Sequence, residues 1–201
     1  MKIMVIADYE EPGLWDYFNH KKTENTDLII SCGDLKPEYL EFLTTVVNCP
    51  LLFVRGNHDT RYDDKYPEGC IDIDDKMYDF NGIKIFGLGG SYRYRGGKDM
   101  YTEREMQRRI MRLRARLRVD SLRGRDGFDI LLTHAPCRGY GDMEDLPHRG
   151  FECFNGLLEG YRPGIHCYGH VHQEYGNFSR VREHPSGTLL INACGHFIFD
   201  Y

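Results

Sequence analysis

Five short polar segments, each placed at the end of a hydrophobic run, constrain the fold of this chain more than any other feature. Three of the runs are apolar and strand-like, over residues 3–7, 28–31 and 51–54. In chain order the segments are Asp8-Tyr9-Glu10, Gly33-Asp34, Gly56-Asn57-His58-Asp59, His134-Ala135-Pro136 and Gly169-His170-Val171-His172. Because an α/β protein carries its functional groups at the carboxyl ends of parallel strands, we expect the five segments to meet in one crevice.

The first sixty residues alternate between strand-like and helix-like patterns. Apolar spacing predicts one helix over residues 14–18 and another over residues 39–43, with Pro37 at a favoured first helical position. This alternation predicts βαβ units and a parallel sheet that is covered on both faces.

The second half of the chain has a different pattern. Asn81-Gly82 lies between two apolar runs and is a strong hairpin signal. Thr102 and Glu105 form a capping-box pattern that opens a helix over residues 103–118. Further strands are predicted at residues 128–133, 165–168, 188–193 and 196–201, with a short helix at 151–158. Because neither a repeat nor a linker divides the chain, we expect one domain over residues 1–201.

The composition, 41% hydrophobic and 28% charged, is typical of a soluble globular protein. No apolar run approaches the ~20 residues that span a bilayer, and the run at residues 3–7 is too short for a signal peptide. The seven cysteines contain no C-x-x-C pair, which favours a reduced, cytoplasmic protein. The net charge of −5 argues against bulk attraction to nucleic acid or to an anionic membrane.

Together the polar segments supply carboxylates, imidazoles and an amide, the donors that divalent ions of intermediate hardness prefer. Asp34 suits a ligand shared by two ions, because a carboxylate has two oxygens. One ion could take Asp8 and His172, and the other could take Asn57, His134 and His170. In an extended segment residues i and i+2 point the same way, so His170 and His172 can face one cluster.

His58 adjoins a proposed ligand, but in an extended segment its side chain points away from that of Asn57. It therefore suits the role of a general acid or of a phosphate contact. Asp59 lies close enough in sequence to orient the His58 ring. His58 and Asp59 are thus the candidate catalytic residues.

The ordered set of segments, which spans residues 8–172, resembles the calcineurin-like metallophosphoesterases. The most specific piece is Gly56-Asn57-His58-Asp59, followed by Gly169-His170-Val171-His172. The resemblance implies an α/β (α+β) fold, a four-layer sandwich of two mixed β-sheets flanked by helices. It also implies a dinuclear centre and hydrolysis of a phosphomonoester or phosphodiester by a metal-bound hydroxide. The family pattern places Asp8, Asp34 and His172 at one ion and Asp34, Asn57, His134 and His170 at the other, with His58 protonating the leaving group.

Glu10 is where this chain departs from the family pattern. The first motif of the family is usually Asp-x-His, whereas this chain has Asp8-Tyr9-Glu10. A glutamate can still ligate, and its harder oxygen favours Mn²⁺ or Mg²⁺ at this position over softer ions. We therefore expect Glu10 as a further metal ligand and two divalent ions, with Mn²⁺ favoured and Fe, Zn, Ni or Mg as alternatives.

Two loops contain candidate substrate contacts. Arg93 lies in an Arg- and Tyr-rich loop after a strand, and His148 lies in a charged loop that follows His134 closely enough to form a wall of the site. Either loop could equally be an ordinary surface loop. Seven arginines occupy the helix at residues 103–118, where a solvated face is favoured over a nucleic-acid footprint.

The leading hypothesis is a soluble, cytoplasmic, dinuclear metal-dependent phosphoesterase that acts on a small phosphoester. A non-catalytic protein of the same fold, serving as a binding or scaffold protein, is the first alternative. A nuclease is the second, and it would need a groove suited to a polymer. The residues leave the substrate, the choice between monoester and diester, and the oligomeric state open.

Overall fold

The computed structural model describes residues 1–121, 127–175 and 178–201. The longer helices are α1 (Pro37–Val46), α2 (Glu103–Ser121) and α3 (Glu152–Tyr161). The strands are β1 (Lys2–Ala7), β2 (Leu28–Ser31), β3 (Leu51–Phe53), β4 (Ile71–Asp72), β5 (Met77–Phe80), β6 (Ile83–Leu88), β7 (Ser91–Tyr92), β8 (Met100–Tyr101), β9 (Ile130–Thr133), β10 (Ile165–Tyr168), β11 (Val181–Glu183), β12 (Leu189–Asn192) and β13 (Gly195–Asp200).

The strands form two large mixed sheets. In the first, the order is β13-β1-β2-β3-β4, with β1 to β4 parallel and β13 antiparallel at the edge. In the second, the order is β11-β12-β10-β9-β6-β5, with four parallel central strands and an antiparallel strand at each edge. Both sheets therefore have a parallel centre, as the alternating pattern of the first sixty residues predicts for the first of them.

Three apolar layers explain how the sheets are stacked. Alternate residues of a strand point to opposite faces, so Val5 of β1 packs between the sheets, whereas Met4 packs outward. The outer face of the first sheet is covered by α1, and that of the second sheet by α2 and α3. The result is a four-layer arrangement of two mixed sheets flanked by helices, which confirms the predicted fold class.

Two local signals have the predicted effect on the backbone. Asn81 and Gly82 both adopt positive φ angles, 52° and 89°, which lets β5 turn directly into β6. At the start of α2, the Thr102 backbone N–H donates to Glu105 Oε2 (2.7 Å), and the Glu105 N–H donates to Thr102 Oγ1 (3.3 Å). These reciprocal bonds satisfy donors that the first helical turn leaves free.

The predicted helix over residues 14–18 is wrong. The structure has only a short 3₁₀ turn there, Pro12–Leu14, and Trp15 leaves the helical region with φ −135° and ψ −85°. The apolar residues of this run serve as contacts for α1 instead, because the Trp15 ring packs 5.5 Å from Tyr39 and 5.2 Å from Phe42, measured between ring centroids.

Arg109 corrects the expectation that the arginines of α2 form a solvated face. It is only 7% exposed, and its guanidinium contacts Asp74 (2.6 Å) and Asp75 (3.0 Å). It also lies 4.3 Å from the Tyr101 ring centroid. This arginine therefore fastens α2 to the second sheet, while Arg104, Arg108 and Arg112 are exposed. The side chains of Arg114, Arg116 and Arg118 lie outside the described residues.

The parallel strands end at one rim of the sandwich. Asp8 directly follows β1, Gly33-Asp34 lies just beyond β2, and His134 directly follows β9. Backbone bonds join these loops across the sheets: Asp8 N–H donates to the Gly33 carbonyl (3.1 Å), and Gly169 N–H donates to that of His134 (2.9 Å). The described part of the chain contains no helix long and apolar enough to cross a membrane.

Candidate metal centre

Three predicted ligands, Asp34, His134 and His170, meet at the rim. Each offers a donor atom, and these atoms lie within 4.8 Å of one another. His134 is fully buried, His170 is 6% exposed, and the Asp34 side chain is 8% exposed. Buried donors that converge in this way, a carboxylate oxygen and two imidazole nitrogens, form a set suited to a divalent transition ion.

The backbone is strained where ligands leave their strands. Asp8, Asp34 and His170 have positive φ angles of 62°, 60° and 69°, a region that residues other than glycine seldom adopt. Such strain persists only where surrounding bonds hold it, and it is common at functional sites. Here the Asp8 carboxylate accepts bonds from the His170 N–H at 2.9 and 3.1 Å, which ties two of the strained residues together.

His134 points one ring nitrogen into the cluster. Its Nδ1 lies 2.8 Å from the Cys32 carbonyl oxygen, so Nδ1–H donates there. Its Nε2 then faces Asn57 Oδ1 at 3.0 Å and Asp34 Oδ2 at 3.4 Å. Burial alone would lower the pKa of His134, but the Asp34 charge raises it to about 9. His134 Nε2, Asn57 Oδ1 and Asp34 Oδ2 thus lie close together, as the ligand atoms of a divalent ion do.

Asn57 presents its amide oxygen to the cluster. The side chain is buried, and on its other side Nδ2 donates to the Tyr94 hydroxyl at 3.4 Å. Because Nδ2 donates to Tyr94 and Oδ1 lies 3.0 Å from His134 Nε2, the amide oxygen is directed toward the cluster. Oxygen is the atom through which an asparagine binds a metal ion.

Asp8 and His172 form a second, more open group. His172 Nε2 lies 3.7 Å from Asp8 Oδ1, and the nearby carboxylate raises the pKa of His172. The Asp8 side chain is 1% exposed, whereas that of His172 is 40% exposed. The His172 ring stacks on Tyr175 with centroids 5.0 Å apart and planes only 8° apart.

Two glycines allow the carboxylates to lie this close. A Cβ atom on Gly56 would lie 2.1 Å from Asp34 Oδ1 and 2.7 Å from His134 Cε1. A Cβ atom on Gly169 would lie 2.6 Å from Asp8 Oδ2. The glycines of these two sequence motifs therefore make room for the ligands, and the donor set fits divalent metal ions.

His58 is exposed at the opening of the site, above the buried ligands. Its backbone N–H donates to Asp34 Oδ1 at 2.8 Å, which fixes the position of the residue. A cavity of about 280 Å³ lies beside it and is also lined by Asp34, Asn57 and His170. The structure thus brings the proposed general acid and the ligands to one cavity.

Asp59 does not contact the His58 ring, which corrects the expectation that it orients this ring. Its Oδ2 accepts bonds from the backbone N–H groups of Asp34 and Gly56, both at 2.8 Å. Its Oδ1 is buried without a partner among the described residues. Burial and the Asp34 charge raise the pKa of Asp59 to about 7. The carboxyl group therefore joins the two loops that carry Asp34 and Asn57.

Glu10 also lies elsewhere than expected. Its carboxylate accepts bonds from the Lys36 ammonium (2.8 Å) and from the Lys36 backbone N–H (3.1 Å). Glu10 is not part of the ligand cluster that the described residues form, and it does not line the cavity. The physical reason is Lys36, whose positive charge holds the carboxylate at the start of α1. The structure therefore does not bring Glu10 to the metal centre.

The two candidate substrate contacts have different outcomes. Arg93 is turned away from the cavity, because its guanidinium donates to the Met100 carbonyl (3.1 Å) and pairs with Glu105 (2.9 Å). That placement corrects the prediction for Arg93. His148 lines the cavity as expected, with its Nδ1 held by Asp145 at 2.6 Å.

Arg61, Tyr94 and Tyr175 line the cavity, yet they were not among the predicted site residues. Tyr94 lies one residue after Arg93, so the loop that contains the predicted contact reaches the cavity through the neighbouring side chain. Arg61 follows the Gly-Asn-His-Asp motif by two residues, a proximity that offered a usable signal. Tyr175 lies in a 3₁₀ turn, Gln173–Tyr175, that no periodicity indicates.

Comparison with known proteins identifies the family of this chain. The family description "Calcineurin-like phosphoesterase" matches residues 1–174. UPF0046 protein C25E10.12 of Caenorhabditis elegans is 24% identical over 205 aligned positions, covering 83% of this chain and 64% of that relative. This chain therefore spans slightly less than two thirds of the length of that relative.

Solved structures show the same fold at low identity. The crystal structure of TT1561 of Thermus thermophilus has a TM-score of 0.60 and 13% identity, covering 96% of this chain and 89% of that chain. A hypothetical protein from the same organism has a TM-score of 0.51 and 16% identity, covering 96% of this chain and 75% of that chain. With most of its length matched by the family, this chain belongs to the calcineurin-like phosphoesterases.

Proposed function

We propose that this protein is a metal-dependent phosphohydrolase with two divalent ions at the rim of its sheets. The observation that carries the proposal is the convergence of Asp34, His134 and His170 donor atoms within 4.8 Å. A buried carboxylate beside two buried imidazoles is costly unless a cation compensates it, so this arrangement suits metal binding. The neighbouring cavity gives a substrate access to the same atoms.

The two ions would share Asp34. Support for one ion comes from Asn57 Oδ1 and His134 Nε2, which lie 3.0 Å apart beside His170. Support for the other comes from the Asp8 and His172 pair. This mixture of oxygen and nitrogen donors favours Mn²⁺, with Fe, Zn, Ni and Mg as alternatives.

When bound, divalent ions would lower the pKa of a coordinated water and neutralise phosphoryl oxygens. His58 would donate a proton to the departing alcohol oxygen, because it is exposed on the cavity while its backbone is fixed on Asp34. Asp59 would hold the loops of Asp34 and Asn57 in register through its two backbone contacts.

The alternatives are less well supported. A nuclease would need a row of cations along a groove for a polymer, and two of the candidate arginines, Arg93 and Arg109, are engaged with carboxylates of this chain instead. A non-catalytic protein of the same fold would be expected to lack ligands, whereas here only Glu10 departs from the pattern. We therefore retain the enzyme as the proposal.

A metal-by-substrate matrix tests the proposal. Protein loaded with Mn, Fe, Zn, Ni or Mg is assayed against an aryl monoester, an aryl diester and cyclic nucleotides, with metal content measured in each sample. Asp34→Asn should lose both metal and turnover, and the loss should exceed the roughly 10–100-fold effect of removing an outer partner. His58→Ala should keep its metal and lose about 10²–10⁴-fold in turnover. Full activity in Asp34→Asn would contradict the mechanism.

A further inference from the structure

Arg61 places a positive charge beside the candidate metal centre. It lies on the 3₁₀ turn Asp59–Asp63, is exposed, and lines the cavity with His58. Its guanidinium has no hydrogen bond or ion pair with any residue that the structure describes. Four nearby cations pair with carboxylates instead: Arg55 and Lys98 with Asp63, Lys36 with Glu10, and Arg93 with Glu105.

Tyr94 supplies a free donor to the same cavity. Its hydroxyl oxygen accepts from Asn57 Nδ2 at 3.4 Å, so its own proton remains available, and no acceptor for it occurs among the described residues. The loop that carries Tyr94 is held at both ends, because Ser91 N–H donates to the Asp99 carbonyl (3.0 Å) and Arg93 N–H donates to that of Tyr101 (2.9 Å). The Arg95 guanidinium lies 5.2 Å from the Tyr94 ring centroid.

We propose that Arg61 and Tyr94 form an anion-binding wall that selects phosphomonoesters over phosphodiesters. The inference rests on the proposed function and adds its substrate class. A phosphomonoester has three terminal oxygens, whereas a diester has two. Two ions can neutralise two of these oxygens, and the third oxygen of a monoester then needs a donor from the protein.

The chemistry of the pair matches that third oxygen. A guanidinium offers a planar fork of donors that fits phosphate, and a hydrogen bond to a charged group is stronger than one between neutral groups. In a diester the corresponding oxygen carries carbon, so the Arg61 charge has no anionic oxygen to meet. Arg61 and Tyr94 are therefore assigned to substrate binding, and His58 keeps the proton transfer.

The test compares two matched substrates, 4-nitrophenyl phosphate and bis(4-nitrophenyl) phosphate, on Mn-loaded protein. Arg61→Gln should lower kcat/KM for the monoester by about 10–100-fold, and that for the diester by less than about 3-fold. Arg61→Lys should restore part of the loss, because it returns the charge without the fork. Tyr94→Phe should lower monoester kcat/KM by about 3–30-fold.

Two matched controls and one independent readout accompany these variants. Arg104→Gln removes an exposed arginine that does not line the cavity, and Tyr92→Phe removes a hydroxyl at the end of β7, two residues before Tyr94. Both should behave as wild type. The dissociation constant of inorganic phosphate, measured by calorimetry, should rise in Arg61→Gln and Tyr94→Phe while metal content stays at the wild-type value.

The outcomes separate this inference from the proposed function. A wild-type protein that prefers the diester, or Arg61→Gln and Tyr94→Phe proteins with wild-type phosphate affinity, would overturn the inference and leave the phosphohydrolase intact. Loss of metal in these variants would overturn it as well, since a structural role would then explain the effect. A wild type that hydrolyses neither ester with any metal would contradict the proposed function itself, and phosphate affinity would still decide the role of Arg61.

Discussion

His134, which contacts the Asp34 carboxylate, is fully buried, whereas His172, which lies beside Asp8, leaves 40% of its side chain exposed. The buried side consists of Asn57, His134 and His170. His134 Nδ1 lies 2.8 Å from the Cys32 carbonyl oxygen, and its Nε2 lies 3.0 Å from Asn57 Oδ1. His170 Nε2 lies 2.6 Å from the Pro147 carbonyl oxygen. The open side consists of Asp8 and His172, whose closest atoms lie 3.7 Å apart. We call these the buried half and the open half of the candidate centre.

The two halves show how one fold can form two sites of unequal affinity for a metal ion. In the buried half the ligand side chains are already ordered in the folded protein, so metal binding there costs little further conformational entropy. The open half must still bring His172 closer to Asp8, and Glu10, which stands where the family pattern has a histidine ligand, is held by Lys36. We therefore expect one strongly bound ion in the buried half and one weakly bound ion in the open half.

The largest contrast should come from matched histidine substitutions. His134→Gln removes the central ligand of the buried half, so we expect loss of the strongly bound ion and of turnover. His172→Gln should leave that ion bound and weaken only the other, by about 10–100-fold in affinity. Metal content after gel filtration, followed by titration with Mn²⁺, distinguishes the two variants. Equal losses in both would show that the halves do not differ.

The pH dependence of stability gives a second, smaller contrast. His166 lies in β10, and its Nε2–H donates to Thr133 Oγ1 at 2.8 Å. Thr133 directly precedes His134 of the buried half. Burial, helped by His184, lowers the pKa of His166 to about 3 from its ordinary value of 6.5. Since the unfolded chain binds a proton that the folded one excludes, stability is full above pH 6.5 and falls as the pH drops toward 3.

The size of this effect is on the order of 5 kcal/mol across the full interval. Unfolding in urea at about pH 7 and about pH 5, without added metal, measures the start of the decline. His166→Phe keeps an aromatic ring, removes the titrating group and should reduce the slope of this part of the profile, to which His170, whose pKa is also lowered to about 3, still contributes. An unchanged pH slope in His166→Phe would assign the decline to other groups.

The smallest effects should come from Glu10 and Lys36. Glu10→Ala should leave the metal content of both sites unchanged, because its carboxylate bonds to Lys36 rather than to the centre. Lys36→Ala frees that carboxylate, and we expect the weakly bound ion to gain a few-fold in affinity at most. Loss of one ion in Glu10→Ala would restore Glu10 as a ligand and contradict its placement beside Lys36.

The sequence predicted those parts of the molecule that depend on local pattern. The strands before Asp8, Asp34 and Asn57 are continuous apolar runs, as buried parallel strands are, and the left-handed turn at Asn81-Gly82 follows from residue type alone. The helix that local apolar spacing predicts at residues 14–18 is absent. The Trp15 ring packs on α1 instead.

What could not be predicted depends on pairs distant in sequence. Glu10 was expected at the metal centre because no pattern reveals that Lys36, 26 residues later, lies beside it. Asp59 was expected on the ring of its neighbour, whereas its oxygen reaches the backbone of Asp34. Tyr94 was overlooked because its partner, Asn57, is 37 residues away. Such contacts arise only when loops from separate strands meet at one rim.

Electron paramagnetic resonance during a Mn²⁺ titration of the metal-free protein tests whether two unequal sites share Asp34. Our account predicts that the first equivalent gives the signal of an isolated, strongly bound Mn²⁺. The second equivalent, bound more weakly, should convert this signal into that of an exchange-coupled pair, because a bridging carboxylate links the two ions. Saturation at one ion per chain, or two ions that stay magnetically independent, would contradict the shared centre.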